Sequence, residues 1–267
     1  MVRKLSLPLP AILLLALLAF SWAGPLVHRA DPDTLDLRLI AGPPSPEHPL
    51  GTDESGRDVL ARLMAGGRVS LAIGTVAAAV ALVLGVLVGG FAGWRGGRVD
   101  GLLMRATDAA MAVPVLFTAL AILSLFGSSP PLLIGIIGAT AWMGIARLVR
   151  AEVAVLRHAD FVVAARALGR AGPSIFLRHL LPQLVPVLTV AASVGVAHAI
   201  LTESALSYLG LGVQPPRASW GNMLTGAQAS LYTAPRLAIW PGVMILLTTL
   251  SCNGLGRWLR RRTGWHG

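Results

Sequence analysis

The chain has 267 residues, of which 55% are hydrophobic and 13% are charged, and its formal net charge is +10. A mean hydropathy of +0.71 with so few charges excludes an ordinary soluble protein, in which about 25% of residues are charged. The positive charge does not indicate nucleic-acid binding, because the basic residues are dispersed at the edges of apolar runs and form no recognition motif.

Six apolar runs are long enough to cross a bilayer, which takes roughly 20 residues per helix. They lie near residues 7–27, 69–93, 108–127, 131–149, 184–206 and 237–256. The sequence "GSSPP" separates the third run from the fourth, because its glycine and prolines favour a turn. We therefore predict an all-α, polytopic membrane protein with six transmembrane helices.

The first run has two interpretations. Arg3 and Lys4, a short apolar core and the triplet Ser21-Trp22-Ala23 are also typical of a secretory signal with a cleavage site. Residues 1–23 are therefore either retained, within an N-terminal transmembrane helix at 1–27, or removed. Cleavage leaves the orientation of the other five spans unchanged.

The basic residues also predict the orientation of the spans, because lysine and arginine near span ends are retained in the cytoplasm. Most of them lie in the segments that share a side with the N-terminus. We therefore expect both termini to be cytoplasmic. The predicted division of the chain is an extracytoplasmic loop with an amphipathic helix at 28–68, a transmembrane core at 69–259 that contains a cytoplasmic loop at 150–183, and a basic cytoplasmic tail at 260–267.

Catalytic motifs are absent from the sequence. It contains no HExxH and no GxSxG, and its only lysine is Lys4, so it has no GxxxxGK[ST] loop for a nucleotide. His198 and Glu203 are the ionisable pair inside one span, but five residues of helix set them about 140° apart. A single cysteine, Cys252, excludes an internal disulfide. If ATP drives this protein, a separate subunit must bind the nucleotide.

The segment "FVVAARALGRAGPSIFLRHLLP" (161–182) is too polar to cross a bilayer, yet it lies between two spans. Its apolar positions recur at i, i+3, i+4 and i+7, which predicts a short amphipathic helix with small side chains on one face: Phe161, Ala164, Ala165 and Leu168. Gly169 and then Gly172-Pro173 are expected to end that helix, and Pro182 to mark the return to the membrane. Docking on another protein and lying on the lipid surface both require this pattern.

The extracytoplasmic loop suggests a helix that begins at Thr52 or Asp53 as its cap. Leu60, Leu63 and Met64 would then form an apolar stripe on the outer surface of the bilayer. Four residues here are possible metal ligands, but they show no fixed ligand spacing: His48, Asp53, Glu54 and Asp58.

A second irregular segment follows the fifth span. Four residues between Tyr208 and Trp220 prevent a regular helix: Gly210, Gly212, Pro215 and Pro216. Broken backbone at membrane depth is tolerated where it lines a cavity. Trp220 either closes the outer mouth of a path or lies in the aromatic belt. Glu203, near the outer end of the fifth span, either faces the interior as a functional candidate or lies shallow enough to reach water. His198, one turn from Thr202, either lines the path or is a packing residue.

The inner end of the third span and the loop before it include Asp100, Arg105 and Asp108. Their spacing predicts a local ion pair that steadies this loop.

Four of these segments resemble one known family. "AARALG" followed by "HLLP" is similar to the EAA loop, the coupling helix of bacterial ABC importer permeases, although Val163 replaces its usual acidic residue. Three further segments resemble the dipeptide, oligopeptide and nickel importer permeases, the C-type subunit in particular: "HPLGTDESGRDVLARLMAGGRVSL" (48–71), "GGRVDGLLMRATDAAMAVP" (96–114) and "SYLGLGVQPPRASWGNML" (207–224).

The resemblance implies a multi-pass permease of the bacterial inner membrane that lines half of a transmembrane path and works by alternating access. It implies a heterodimer with a second, homologous permease, one or two ATPase subunits that hold ATP and magnesium, and an extracytoplasmic substrate-binding protein. The chain itself would bind no cofactor and no metal, and would catalyse no reaction. Dipeptides or oligopeptides are the expected cargo, and nickel or another metal ion is the alternative cargo. A stand-alone channel or secondary transporter is the alternative to an ATP-driven importer.

Overall fold

The computed structural model describes residues 8–263, and the regular secondary structure in that range is helical, with one isolated β-bridge between Thr52 and Asp58. The helices are α1 (Leu9–Val27), α2 (Val59–Arg95), α3 (Gly97–Met111), α4 (Val115–Phe126), α5 (Pro130–Leu156), α6 (Asp160–Ala167), α7 (Gly172–Ile175), α8 (Leu181–Tyr208), α9 (Trp220–Ala227) and α10 (Arg236–Thr263). A π-helical turn, Phe176–Leu180, joins α7 to α8. The predicted all-α class is confirmed for these residues. Arg3, Lys4 and the last four residues of the predicted tail lie outside them.

Five segments are each long and apolar enough to cross a membrane: α1, α2, α5, the continuous run Gly172–Tyr208 and α10. The third predicted span is not one straight helix, because α3 and α4 meet at 73° and qualify only as a bent pair. The break falls at Pro114, which caps α4. A proline inside a helix removes a backbone hydrogen bond and clashes with the preceding turn, so the helix ends before it.

The start of α2 differs from the prediction. The helix begins at Val59 and its cap is Asp58, whose Oδ1 accepts a hydrogen bond from the backbone N–H of Ala61 at 2.7 Å. Asp53 instead accepts backbone hydrogen bonds from Ser55 and Arg57 and closes a turn. The predicted amphipathic helix is therefore the first part of α2.

The predicted surface stripe on that helix is also wrong. Leu63 and Met64 are 0% and 2% exposed and pack inside the protein, with Leu60 partly buried. Periodicity showed that this face is apolar, but the partner that covers it is protein and not lipid. Leu63 belongs to a buried cluster with Leu71 of α2, Ile200 of α8 and Trp220 of α9.

Close packing of α2 on α5 depends on three glycines that repeat every four residues, Gly85, Gly89 and Gly93. A Cβ atom on Gly89 would overlap the backbone carbonyl group of Ala146, and one on Gly93 would lie 2.7 Å from the carbonyl oxygen of Arg150. Small residues at this spacing let two membrane helices approach until their backbones touch. This contact holds the two long helices together and orients the segments at their ends.

Candidate functional site

The side chain of Glu203 is fully buried between α8 and α2. Its Oε2 atom accepts a hydrogen bond from Ser70 Oγ of α2 at 3.0 Å, and its Oε1 atom accepts one from Ser207 Oγ at 2.7 Å. The predicted inward orientation of this acid agrees with the structure. Within this chain, however, Glu203 lies among packed helices and does not border open space.

The two serines also bind the main chain of the segment after α8 and of the start of α9. Ser70 Oγ also accepts the backbone N–H of Trp220 at 3.2 Å, and Ser207 Oγ accepts the backbone N–H of Val213 at 3.1 Å. Each hydroxyl therefore donates to the carboxylate and accepts from the main chain, which satisfies both groups in a buried site. Glu203 thereby ties the irregular segment 209–219 and the start of α9 to α2 and α8.

Trp220 is the first residue of α9 and is fully buried. Its indole Nε1 donates a hydrogen bond to the carbonyl oxygen of Leu63 at 3.0 Å. This position excludes the aromatic belt, where the ring would face lipid. Ser219 caps α9 in a capping box with Asn222, in which each side-chain oxygen accepts a hydrogen bond from the other residue's backbone N–H. Trp220 is therefore a fixed anchor of α9.

The segment that follows α8 is irregular, as predicted. Gly210 has φ +79°, a left-handed conformation that suits glycine, and two backbone hydrogen bonds close the helix end there: Gly210 to Ser207 at 3.0 Å and Leu211 to Leu206 at 2.9 Å. Gly212 packs so closely on Ser207 that a Cβ atom would overlap it. Four of the predicted entrance residues are exposed at this end: Tyr208, Gly210, Pro215 and Pro216.

His198 lies on the opposite face of α8 from Glu203. Its side chain is exposed, and the neighbouring Thr202 Oγ1 donates to the carbonyl oxygen of His198 at 2.9 Å. The two ionisable residues of this helix therefore do not form one site. Among residues 8–263, no group of three or more His, Cys, Asp or Glu residues is placed to hold a metal ion.

The short helix α6 lies between the two spans, as the sequence predicts, but its buried face is different. Val162 and Ala165 are buried and pack in a cluster with Ile175, Leu180 and residues of α5. The other three residues of the predicted apolar face are exposed: Phe161 (39%), Ala164 and Leu168 (81%). Val163 is exposed as well. Two adjoining faces of α6 are therefore apolar, one packed on the protein and one facing outward.

Gly169 ends α6, as predicted. It has φ +74°, its N–H donates to Arg166 at 2.9 Å, and the N–H of Arg170 donates to Ala165 at 3.2 Å. This pair of bonds is the Schellman arrangement. The role predicted for Gly172-Pro173 is wrong, because these residues begin α7; proline suits the first turn of a helix, where its missing N–H has no partner to lose. Pro182 lies exposed in the first turn of α8.

The predicted local ion pair near α3 is also wrong. Asp100 accepts from Arg150 Nε at 2.8 Å, and Asp108 pairs with Arg147, so both acids bind α5 while Arg105 is exposed. Asp100, Arg105 and Asp108 all lie on α3. Helix α5 packs beside α3, and its Arg147 and Arg150, about one turn apart, pair with the two acids. These pairs join α3 to the C-terminal half of α5.

The loop between α1 and α2 contains a polar cluster whose pairings the sequence did not reveal. The two carboxylate oxygens of Asp58 lie 3.1 Å from His28 Nε2 and 2.8 Å from His48 Nδ1. Asp53 forms ion pairs with Arg57 and Arg62 at 2.9 and 3.2 Å. The hydroxyl partners of Glu203 were missed as well, although Ser207, one helical turn after Glu203, was a signal in the sequence.

Comparison with known proteins gives one consistent result. Residues 85–265 match the family described as "Binding-protein-dependent transport system inner membrane component". The oligopeptide transport system permease protein OppC of Haemophilus influenzae is 36% identical over 257 residues, covering 96% of this chain and 81% of that protein. The nickel transport system permease protein NikC of Escherichia coli K12 is 38% identical over 261 residues, covering 96% of this chain and 91% of that protein.

One solved structure has a similar fold. A chain of the MetNI methionine ABC transporter, determined in inward facing conformations, superposes with a TM-score of 0.59 and covers 73% of this chain and 94% of its own length. The two sequences are 18% identical, so this similarity concerns the fold alone.

Proposed function

The chain belongs to the binding-protein-dependent transport system inner membrane component family, and from that premise we propose that it forms half of the path by which a peptide enters the cell. It is an inner-membrane permease subunit of an ABC importer in the peptide and nickel family. The second half of the path is a homologous permease, the two together forming a heterodimer. One or two ATPase subunits supply the energy, and an extracytoplasmic binding protein delivers the cargo.

The observation that carries this proposal is the outward apolar face of α6. Phe161, Val163 and Leu168 are exposed there, while Val162 and Ala165 hold the helix on α5 and α8. An exposed apolar surface on a helix that is itself anchored to two spans suits transmission of a movement. We infer that the ATPase docks on this face and that α6 is the coupling helix.

The Glu203 contacts suggest how the opposite end of the path keeps its shape. Hydrogen bonds through Ser70 and Ser207 attach the irregular segment 209–219 and α9 to α2 and α8. A displacement of α8 by the coupling segment is therefore transmitted to the entrance residues, because α8 runs from Leu181 to Tyr208 without a break. Alternating access then requires only that the outward-open path bind the closed ATPases better than the open ones.

Peptides are the proposed cargo, and the oligopeptide permease OppC supports that choice. The nickel permease NikC, which is as similar, supports the alternative of a metal ion. Helix α8 carries a single exposed imidazole, that of His198, and one imidazole does not make a metal site. Selectivity between the two cargoes is expected to lie mainly in the binding protein.

Co-purification with and without a change on α6 tests the coupling role. Leu168→Lys places a charge in the proposed apolar contact, and Leu102→Lys is its control on α3, with 71% exposure against 81%. Burying one leucine contributes about 1.5–3 kcal/mol, so Leu168→Lys should lower ATPase capture at least about tenfold, and Leu102→Lys should not. Equal capture by the two variants would refute the coupling role.

The same two variants test the cargo and the mechanism. Uptake of a radiolabelled peptide and of nickel is measured in cells that carry this transporter. Peptide uptake that is lost in Leu168→Lys supports an ATP-driven peptide importer, and nickel uptake lost in the same way supports the alternative. Uptake that continues unchanged in Leu168→Lys would indicate a channel or secondary transporter.

A further inference from the structure

An apolar groove of about 410 Å³ lies between the last turns of α2 and the start of the run that returns to the membrane. Leu87, Phe91 and Trp94 line it from α2, and Pro173 and Leu177 line it from α7 and the π-helical turn. No acidic residue is among the described residues that line it. The groove is open on one side, since Leu87, Phe91 and Leu177 are each more than half exposed.

Two glycines create the shape of this groove. A Cβ atom on Gly90 would lie 2.6 Å from Phe176 Cζ, so its absence lets the phenylalanine ring rest directly on α2. A Cβ atom on Gly172 would touch the Trp94 indole at 3.4 Å. The Phe176 and Trp94 rings therefore form part of the walls, and Gly90 and Gly172 leave the space that these rings occupy.

Two arginines stand at the end of the groove. The guanidinium carbon of Arg95 lies 5.5 Å from the centre of the Phe91 ring, and that of Arg166 lies 4.6 Å from the Trp94 ring. Such stacking uses the flat face of a guanidinium and leaves its in-plane N–H groups to bind an anion. The two charges flank Trp94, one from α2 and one from α6.

The depth of the groove favours a lipid as its occupant. Helix α2 is a candidate span, and Trp94 and Arg95 are its last two residues. Tryptophan and arginine at the end of a span are typical of the boundary between hydrocarbon and headgroups. An apolar cleft on the hydrocarbon side with basic residues on the headgroup side matches the two parts of a phospholipid.

We propose that this groove binds an anionic phospholipid, with one acyl chain against Leu87, Phe91 and Phe176 and the phosphate bound by Arg95 and Arg166. The lipid would join α2 to α6 and α7 at the membrane surface and so brace the segment between the spans. This proposal requires only that the chain lie in a membrane, and it is independent of the cargo and of the ATPase.

Native mass spectrometry of the full-length protein, with any subunits that co-purify, tests the proposal. The protein is equilibrated with equal amounts of phosphatidylglycerol and phosphatidylethanolamine that carry the same acyl chains, and the lipids retained after detergent exchange are counted. Wild type should retain phosphatidylglycerol preferentially. Since a basic residue near an anionic lipid contributes a factor of about five to binding, Arg95→Ala and Arg166→Ala should each lower its retention by about that factor.

Three further variants separate the groove from general surface effects. Leu87→Trp fills the apolar part and should lower the retention of both lipids, whereas Leu102→Trp, at a similarly exposed leucine on α3, should not. Arg105→Ala removes one exposed charge away from the groove and should leave the preference for phosphatidylglycerol intact. Equal retention of the two lipids by wild type, or identical results for the groove variants and their controls, would overturn the proposal.

Photo-crosslinking in intact membranes identifies the occupant directly. A photoreactive amino acid at position 87 should label phospholipid, and the label should decrease in the Arg95→Ala background. Labelling of a polypeptide at this position would show that a protein partner covers the groove, and would exclude the lipid.

Discussion

Ser70 of α2 and Glu203 of α8 are separated by 133 residues in the chain, yet Ser70 Oγ donates a hydrogen bond to Glu203 Oε2 at 3.0 Å. Both side chains are fully buried. The same serine accepts the backbone N–H of Trp220, so one contact joins three helices. An acid in this position holds the segment after α8 in place through these hydrogen bonds.

Removal of this carboxylate should loosen the segment 209–219. In Glu203→Ala the hydroxyls of Ser70 and Ser207 lose their acceptor in a buried site, and an unsatisfied buried polar group costs about 1–3 kcal/mol. We therefore expect a drop of about 2 kcal/mol or more in the free energy of unfolding in detergent. Trypsin should also cleave faster after the exposed Arg217 within that segment.

Thr202→Ala is the control for this variant, because the Thr202 hydroxyl bonds only the carbonyl oxygen of His198 in its own helix. It should change neither the unfolding free energy nor the cleavage rate by much. Similar results for Thr202→Ala and Glu203→Ala would contradict the role assigned to the carboxylate.

Contact between α2 and α5 should be sensitive to a single methyl group. Gly89→Ala places a Cβ atom against the backbone of Ala146. Overpacking of this kind should lower the free energy of unfolding by about 1–3 kcal/mol. Gly144→Ala on α5 is the matched control, because nothing lies within 4 Å of its Cβ position. Thermal unfolding of the purified protein should show a lower midpoint for Gly89→Ala alone; equal midpoints would rule out the close approach.

The turn after α6 should matter for coupling more than for stability. Gly169 and Gly127 both have positive φ, +74° and +75°, and open space at the Cβ position, and Gly127 also has ψ 175°, a combination that is essentially restricted to glycine. Alanine at Gly127 should therefore cost at least as much stability as alanine at Gly169, where the cost is about 1 kcal/mol. ATP-driven uptake should fall in Gly169→Ala and stay near wild type in Gly127→Ala, and a parallel loss in the two variants would assign the effect to stability.

The ion pairs between α3 and α5 should differ in strength. The Asp100 carboxylate is 12% exposed and accepts hydrogen bonds from Arg150, whereas the Asp108 and Arg147 side chains are 54% and 48% exposed. A double-mutant cycle with Asp100→Asn and Arg150→Gln should give a coupling energy above about 1 kcal/mol, since charged hydrogen bonds shielded from water are the stronger ones. The cycle with Asp108→Asn and Arg147→Gln should give about 0.5 kcal/mol, and the reverse order would contradict this ranking.

Local features of the chain were predictable because their cause is local. A run of apolar residues long enough for the bilayer predicted the spans, and glycine at the left-handed positions 169 and 210 predicted two helix ends. Four short motifs predicted the permease family, and the match over residues 85–265 confirms it. Each of these signals depends on neighbouring residues only, so it can be read without the packing.

The partner of each side chain was not predictable in this way. Asp100 was expected to pair within its own helix and instead binds Arg150 of α5, and Leu63 was expected to face lipid and instead packs on Trp220. Hydrophobic spacing shows which face of a helix is apolar, but which neighbour covers that face depends on how the helices rotate and approach. The sequence by itself determined the apolar spans, the helix ends at Gly169 and Gly210, and the family. Only the tertiary structure, through the contact of α2 with α5 and α8, decided that Glu203 is a buried anchor and that the outer face of α6 stays exposed.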